Sequence, residues 1–262
     1  MSARIVYIGA ERVGLACLER LHDMGMNVVG VVTADDSLKD RIADWVAFDD
    51  FCERTGLPLY KVQSTRQREA IELVRSLGPE LVCVISWSMI IPPEILEIPA
   101  KGIVGFHYSM LPARRGGAPL NWAIIDGLTD TGITLMYLDE GIDTGDIIAQ
   151  RPLQIAQEDT VKDLLDRIVF TAPNMLAENI DDIEAGAVVR IKQDESQATL
   201  TRRRRPEDGE IDWSKPPAEI YNFIRALAPP YPCAFTTIRD HKIVIPSAHM
   251  KDGRLYFEGY LK

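Results

Sequence analysis

Between residues 4 and 86 short apolar, β-branched runs alternate with stretches of helical periodicity, and that alternation admits few architectures. Residues 4–9, 27–33, 59–62 and 81–86 read as buried strands; 11–24, 41–55 and 66–77 read as the helices between them. Strands joined through helices must run parallel, because a parallel pair needs a crossover connection. The strand 81–86, LVCVIS, is apolar on both faces, as a central parallel strand has to be. The expected fold class is therefore α/β, a Rossmann-like and mostly parallel sheet with helices on both faces.

Two further strands follow, at 103–106 and 132–138, with a helix opening at Pro92-Pro93 before them. If 103–106 and 132–138 lie side by side in parallel, the residues after them emerge at one edge. A long amphipathic helix is expected over 160–184, stopped by Gly186. The composition then changes. A tail opening at Gln193 carries the run Arg202 to Arg205, a helix start at Ser214 with Pro216 and Pro217 in its first turn, and short strands at 234–238, 242–245 and 254–257. The expected division is residues 1–190 as the main domain and 191–262 as a small β-rich domain.

With 46% hydrophobic residues the chain can fill one large core and a satellite. A net charge of −10 argues against a surface built on phosphate neutralisation, and so against a nucleic-acid partner. Cys17, Cys52, Cys83 and Cys233 are scattered without redox or ligand spacing and read as reduced core thiols. The amino terminus lacks a signal-peptide core, and no apolar run reaches the roughly 18 residues that span a bilayer. A cytoplasmic location without membrane attachment is expected. The four histidines have no paired spacing, so no metal site is expected.

Chemistry concentrates between Gly102 and Gln150. The strand 103–106 delivers His107 to its end, and 132–138 leads into the acidic loop Asp139-Glu140-Gly141-Ile142-Asp143. A histidine that titrates near neutrality can take a proton from an attacking amine, with a carboxylate beside it to orient or stabilise it. The same residues also read as a hydrogen-bonded strand-end histidine and an Asx turn. Ser109 lacks the strained elbow of a nucleophile. Gly9 and Gly14 fall short of a dinucleotide fingerprint, and Glu11 puts an acid where a phosphate would sit; a tight strand-to-helix turn is the simpler account.

The spaced motifs His107-Tyr-Ser-Met-Leu-Pro112, Arg115-Gly-Gly-Ala-Pro119, Gly132-Ile-Thr134 and Asp143-Thr-Gly-Asp-Ile147 resemble the signature of the N10-formyltetrahydrofolate-dependent formyltransferases. The tail segments 208–213, 224–226 and 231–232 are similar to the linker and second domain of methionyl-tRNA and sugar formyltransferases. The resemblance implies attack of an amine on the formyl carbon of N10-formyltetrahydrofolate, with an Asn-x-His pair and a distal Asp as machinery. His107 and Asp143 match the last two; the asparagine position is Gly105. An oxyanion donor contributes roughly 3 to 4 kcal/mol, which a glycine side chain does not supply. Residues two apart on a strand share a face, so Gly105 is expected to leave a space beside His107, with Asn121 a possible substitute donor.

By position the resemblance also implies folate contacts at Met89, Ile90 and Ile91 and along Asp139, Glu140, Gly141, Ile142 and Asp143. Gly117 stands where the aminoarabinose-modifying member has a folate-contacting arginine, leaving Arg115 or Arg114 as substitutes. Three readings compete: transfer to a small amine, favoured as a nucleotide-linked amino sugar; transfer to methionyl-tRNA; or a silent folate-binding relative. A homodimer is an open expectation.

Overall fold

The computed structural model describes residues 2–261. Its elements are β1 (Ile5–Ile8), α1 (Arg12–Asp23), β2 (Val28–Ala34), α2 (Asp49–Thr55), β3 (Leu59–Val62), α3 (Arg68–Ser76), β4 (Leu81–Val84), α4 (Pro93–Leu96), β5 (Ile103–His107) and β6 (Arg115–Gly116). They continue as α5 (Pro119–Ile125), β7 (Asp130–Tyr137), β8 (Ile147–Gln154), α6 (Val161–Ala185), β9 (Leu200–Thr201), α7 (Pro217–Ala226), β10 (Ala234–Ile238), β11 (His241–Lys251) and β12 (Arg254–Leu261).

Seven strands form one sheet in the order β3-β2-β1-β4-β5-β7-β8. The first five are parallel, as the alternation requires. β7 and β8 are not: β7 pairs antiparallel with β5, His107 opposite Thr134, and β8 returns antiparallel to β7. The expectation of parallel neighbours fails here because the connection through α5 never crosses to the other end of the sheet: β7 starts beside His107, at the end where β5 left, and runs back along it. One sheet face buries Tyr7, Cys83, Ile85 and Val104 against α1 and α6; the other buries Val6, Ile8, Val82 and Val84 beneath α3 and α4.

α6 is the long amphipathic helix. Thr160 and Asp163 exchange side-chain and backbone bonds as a capping box, and Gly186, at φ 68°, ends it in the left-handed region that glycine enters freely. Gly9 and Gly14 are explained by close approach. A Cβ on Gly9 would stand 2.7 Å from the Ile85 carbonyl oxygen, and one on Gly14 3.0 Å from it. The glycines let α1 settle on the end of β4, which is the simpler account of the pair.

Other boundaries moved. The helix expected over 41–55 is only α2, because residues 36–41 form a 3-10 turn and Trp45 bridges to Glu11 as extended chain. Ser214 does not cap α7; its hydroxyl and amide serve Asp212 in a local turn, and Pro216 occupies the cap position. β11 and β12 run several residues longer than expected and form, with β10, a three-stranded antiparallel sheet packed on α7 through Ile220, Ile224 and Ile245. Among the described residues no helix is long and apolar enough to cross a membrane.

Candidate active site

The chain leaves β1 toward β2 on one side and reaches β4 on the other. A crevice opens where strand order reverses, at the carboxyl ends of the parallel strands. It is a cleft of about 440 Å³. Val84, Gly105, Phe106, Met136 and Leu138 line it together with two loops, Met89 to Ile91 and Asp139 to Asp143. Each loop turns an isoleucine outward: Ile90 is 64% exposed and Ile142 65%. Thr65 fixes the first loop by donating to the Ile90 carbonyl at 2.9 Å. In the second, Asp139 accepts from the Gly141 amide and the Thr144 hydroxyl.

His107 and Asp143 come together, Nδ1 to Oδ2 at 3.4 Å. The other ring nitrogen, Nε2, lies 2.8 Å from the Arg114 carbonyl oxygen, an acceptor only, so Nε2 carries the hydrogen. Asp143 sits at φ 53°, a left-handed conformation that aspartate tolerates better than most residues, and its Oδ2 accepts the Gly116 amide at 2.7 Å. The Gln193 amide donates to the carbonyls of Asp143 and Gly145 and holds the loop from below. The His107 side chain is 8% exposed and that of Asp143 29%, so the pair meets the cleft through the carboxylate.

Gly105 lines the cleft, but the space beside His107 that its lack of a side chain suggested is not empty. A Cβ there would lie 2.6 Å from the Val84 carbonyl oxygen and 2.8 Å from Leu138 Cδ1. Asn121 is not a substitute donor at the pair: it is buried, and its amide donates to the Ala226 carbonyl at 2.7 Å.

Arg115 and Gly117 do not line the cleft. Arg115 is buried, its guanidinium forked onto Glu195 at 2.7 and 2.8 Å with Nε on Gln193. Gly117 abuts the Arg203 backbone, where a Cβ would meet Cα at 2.5 Å. Arg114 pairs with Asp126 at 2.8 Å. The arginines proposed as folate anchors are thus committed to the protein itself.

Comparison with known proteins matches residues 3–180 to the formyl transferase family and residues 203–257 to the formyl transferase C-terminal domain. The chain belongs to the formyl transferase family. A methionyl-tRNA formyltransferase of Geotalea uraniireducens is 38% identical over 235 residues, spanning 89% of this chain and 75% of that protein. A solved methionyl-tRNA formyltransferase from Clostridium thermocellum superposes with TM-score 0.70 at 25% identity, covering 100% of this chain and 99% of that one. The N-formyltransferase from Helicobacter canadensis, solved with folinic acid and dTDP-3-aminofucose, gives TM-score 0.69 at 18% identity over 98% and 96% of the chains, a likeness of fold. Formyl transferases of this family take the formyl group from N10-formyltetrahydrofolate, and this one is an enzyme of that class.

Sequence reading passed over several residues that shape the site of this formyl transferase. Ser86, at φ 51°, and Tyr108 share a short hydroxyl–hydroxyl hydrogen bond on the cleft wall. Glu11 lines the same wall, and burial, reinforced by Asp44, pushes its carboxyl up to about 8. Its place just after β1 was the available signal, since residues at that strand end border the switch point. Gln193 and Glu195 lie some 50 residues and more from their partners, and no local pattern marks them.

Proposed function

We propose that the chain formylates the primary amine of a small acceptor, a nucleotide-linked amino sugar, with N10-formyltetrahydrofolate held between the Met89–Ile91 and Asp139–Asp143 loops. The observation that carries this is the His107–Asp143 pair opening through its carboxylate into a cleft bounded by those loops. Exposed Ile90 and Ile142 offer flat apolar contact for a ring system, and the backbone groups of the two loops offer polar edges. Asp143 is positioned to meet the acceptor nitrogen; His107, anchored at Nε2 by Arg114, lies behind it as the proton-accepting partner. The side-chain donor of the Asn-x-His pattern has no counterpart at Gly105, so backbone amides are left to face the developing oxyanion.

Charge supports a small acceptor over a polynucleotide. The chain carries −10, and two of the four consecutive arginines are already engaged within the protein: exposed Arg202 pairs with Asp208, and half-buried Arg204 lies over the rings of Trp122 and Phe223. A second reading, methionyl-tRNA as acceptor, is favoured by the sequence relatives, which carry that name at 33 to 38% identity. Tetrahydrofolate release with dTDP-3-aminofucose or with methionyl-tRNA separates the two. Turnover of methionyl-tRNA alone, with steep salt dependence, decides for the second reading. Folate binding with neither acceptor consumed supports the silent relative.

A further inference from the structure

Glu11 is an acid of the cleft that the His107–Asp143 pair leaves unused. It occupies the cap position of α1, with φ −123° and ψ 169°, yet its side chain accepts no hydrogen bond from the first turn. Its backbone is fixed by the bridge to Trp45, and the residue lines the cleft together with Ser86, Tyr108 and Asp143. Among the described residues no cation answers it. Arg12, the nearest in sequence, is drawn to Asp44 at 2.5 Å and to Asp166 at 2.7 Å. The titratable groups around Glu11 are Asp44 before α2, Tyr108 beyond β5 and Tyr231 beyond α7, and all of them are acids.

Formylation has a use for such a group. A primary amine reaches the enzyme as an ammonium ion and must lose one proton before its lone pair can attack the formyl carbon. A second proton leaves the nitrogen after the carbon–nitrogen bond forms, and a proton reaches N10 of the folate as the carbon–N10 bond breaks. In sum, ammonium and formyl donor give formamide, tetrahydrofolate and one free proton. The His107–Asp143 pair can serve one transfer, and the other calls for a separate base.

We propose that Glu11 receives the acceptor's ammonium group and takes its first proton, leaving the second to Asp143 with His107 behind it. This rests on formyl transfer to an amine and not on which amine is used. An exposed glutamate, near 4.3, is too weak a base for the task, whereas burial and Asp44 bring Glu11 to about 8, close to an α-amino group at roughly 8. A carboxyl and an amine so matched exchange a proton with little bias either way. Before the acceptor binds, Glu11 holds a proton; an arriving ammonium displaces it to solvent by pairing with the carboxylate. The carboxylate then takes one proton from the nitrogen as it turns to attack, so an acceptor that arrives as a cation is favoured.

The test compares wild type with Glu11→Gln and Glu11→Asp, using dTDP-3-aminofucose and methionyl-tRNA as acceptors and 5-formyltetrahydrofolate titrations for donor affinity. Glu11→Gln is expected to lower kcat/KM for whichever acceptor reacts by at least about tenfold, with donor affinity unchanged within about twofold; Glu11→Asp recovers part of the loss. An unchanged acceptor kcat/KM, or donor affinity falling in step, overturns the proposal. If wild type consumes neither acceptor, the acceptor assignment fails separately and Glu11 is read by difference infrared spectroscopy near neutral pH. A protonated-carboxyl band, absent in Glu11→Gln, should then disappear when glucosamine is added to the folate-loaded protein. A band that persists, or none at all, overturns it.

Discussion

His107 Nδ1 lies 3.4 Å from Asp143 Oδ2 even though β5 and β7, the strands that deliver them, run in opposite directions. β7 ends at Tyr137, level with Val104, three residues short of His107 along β5, and the loop after it folds back to the carboxyl end of the sheet. The pair is therefore a product of loop shape. The left-handed backbone of Asp143, the Gly116 amide on its carboxylate and the Gln193 amide beneath it hold that shape.

Removing either member should silence transfer while sparing the fold. His107→Asn is expected to lower kcat by at least about a hundredfold, the scale of a positioned general base, and Asp143→Asn by a similar factor. Tetrahydrofolate release gives the rate, and 5-formyltetrahydrofolate binding shows whether the cleft survives. Full activity in His107→Asn removes the catalytic assignment.

Restoring an amide at position 105 should harm the protein before it helps the chemistry. A side chain there runs into the Val84 carbonyl and Leu138, and overpacking of this kind destabilises by about 1–3 kcal/mol. Gly105→Ala and Gly105→Asn should both lower the urea midpoint. A Gly105→Asn variant of unchanged stability with faster transfer would show that β4 yields easily.

Gln193 offers a test of loop shape without touching the reacting groups. Gln193→Ala loses two hydrogen bonds to loop carbonyls, worth about 1 kcal/mol each. Hydrogen exchange should quicken across residues 139–146 and kcat should fall, while protection in β1 and β4 stays as it was.

Glu11 sets a pH dependence of stability whose sign is unusual for a carboxylate. Its folded pKa, raised to about 8 by burial and Asp44, exceeds the unfolded value near 4.3, so the native state keeps a proton that the unfolded chain has lost. The stability it contributes is complete below about pH 4 and is lost as pH rises toward and through about 8. Glu11→Gln should match wild type in urea midpoint near pH 4 and exceed it near pH 9. Equal midpoints at both values would mean that Glu11 is ionised in the fold.

The parallel half of the sheet was legible because each strand is apolar on both faces and each connection is a helix with its own period. β7 was visible as a strand, but its direction was not, since nothing local distinguishes a strand that returns from one that crosses over. His107, Asp143 and the two cleft loops were reached through motif spacing, and the structure gathers all of them at one sheet edge. Arg115 was offered as a substitute for the arginine that the resemblance implies at the position of Gly117, and nothing local showed that its partner would be Glu195, 80 residues away. Gly105 misled differently: the missing side chain suggested vacant space, and a neighbouring carbonyl fills it.

The two-residue ladder between β6 and β9 ties Arg115 and Gly116 to Leu200 and Thr201, with Thr199 bonded to the Arg114 and Arg115 amides. Its consequence concerns where this protein can be cut and rejoined. A chimera joined at residue 190 would strip the His107 loop of its parallel partner strand and Arg115 of its counter-ion, and would fail in the half that was meant to be kept. The workable junction lies beyond Arg205, so residues 191–205 travel with the catalytic half, and a foreign carboxyl-terminal module can be grafted only behind them.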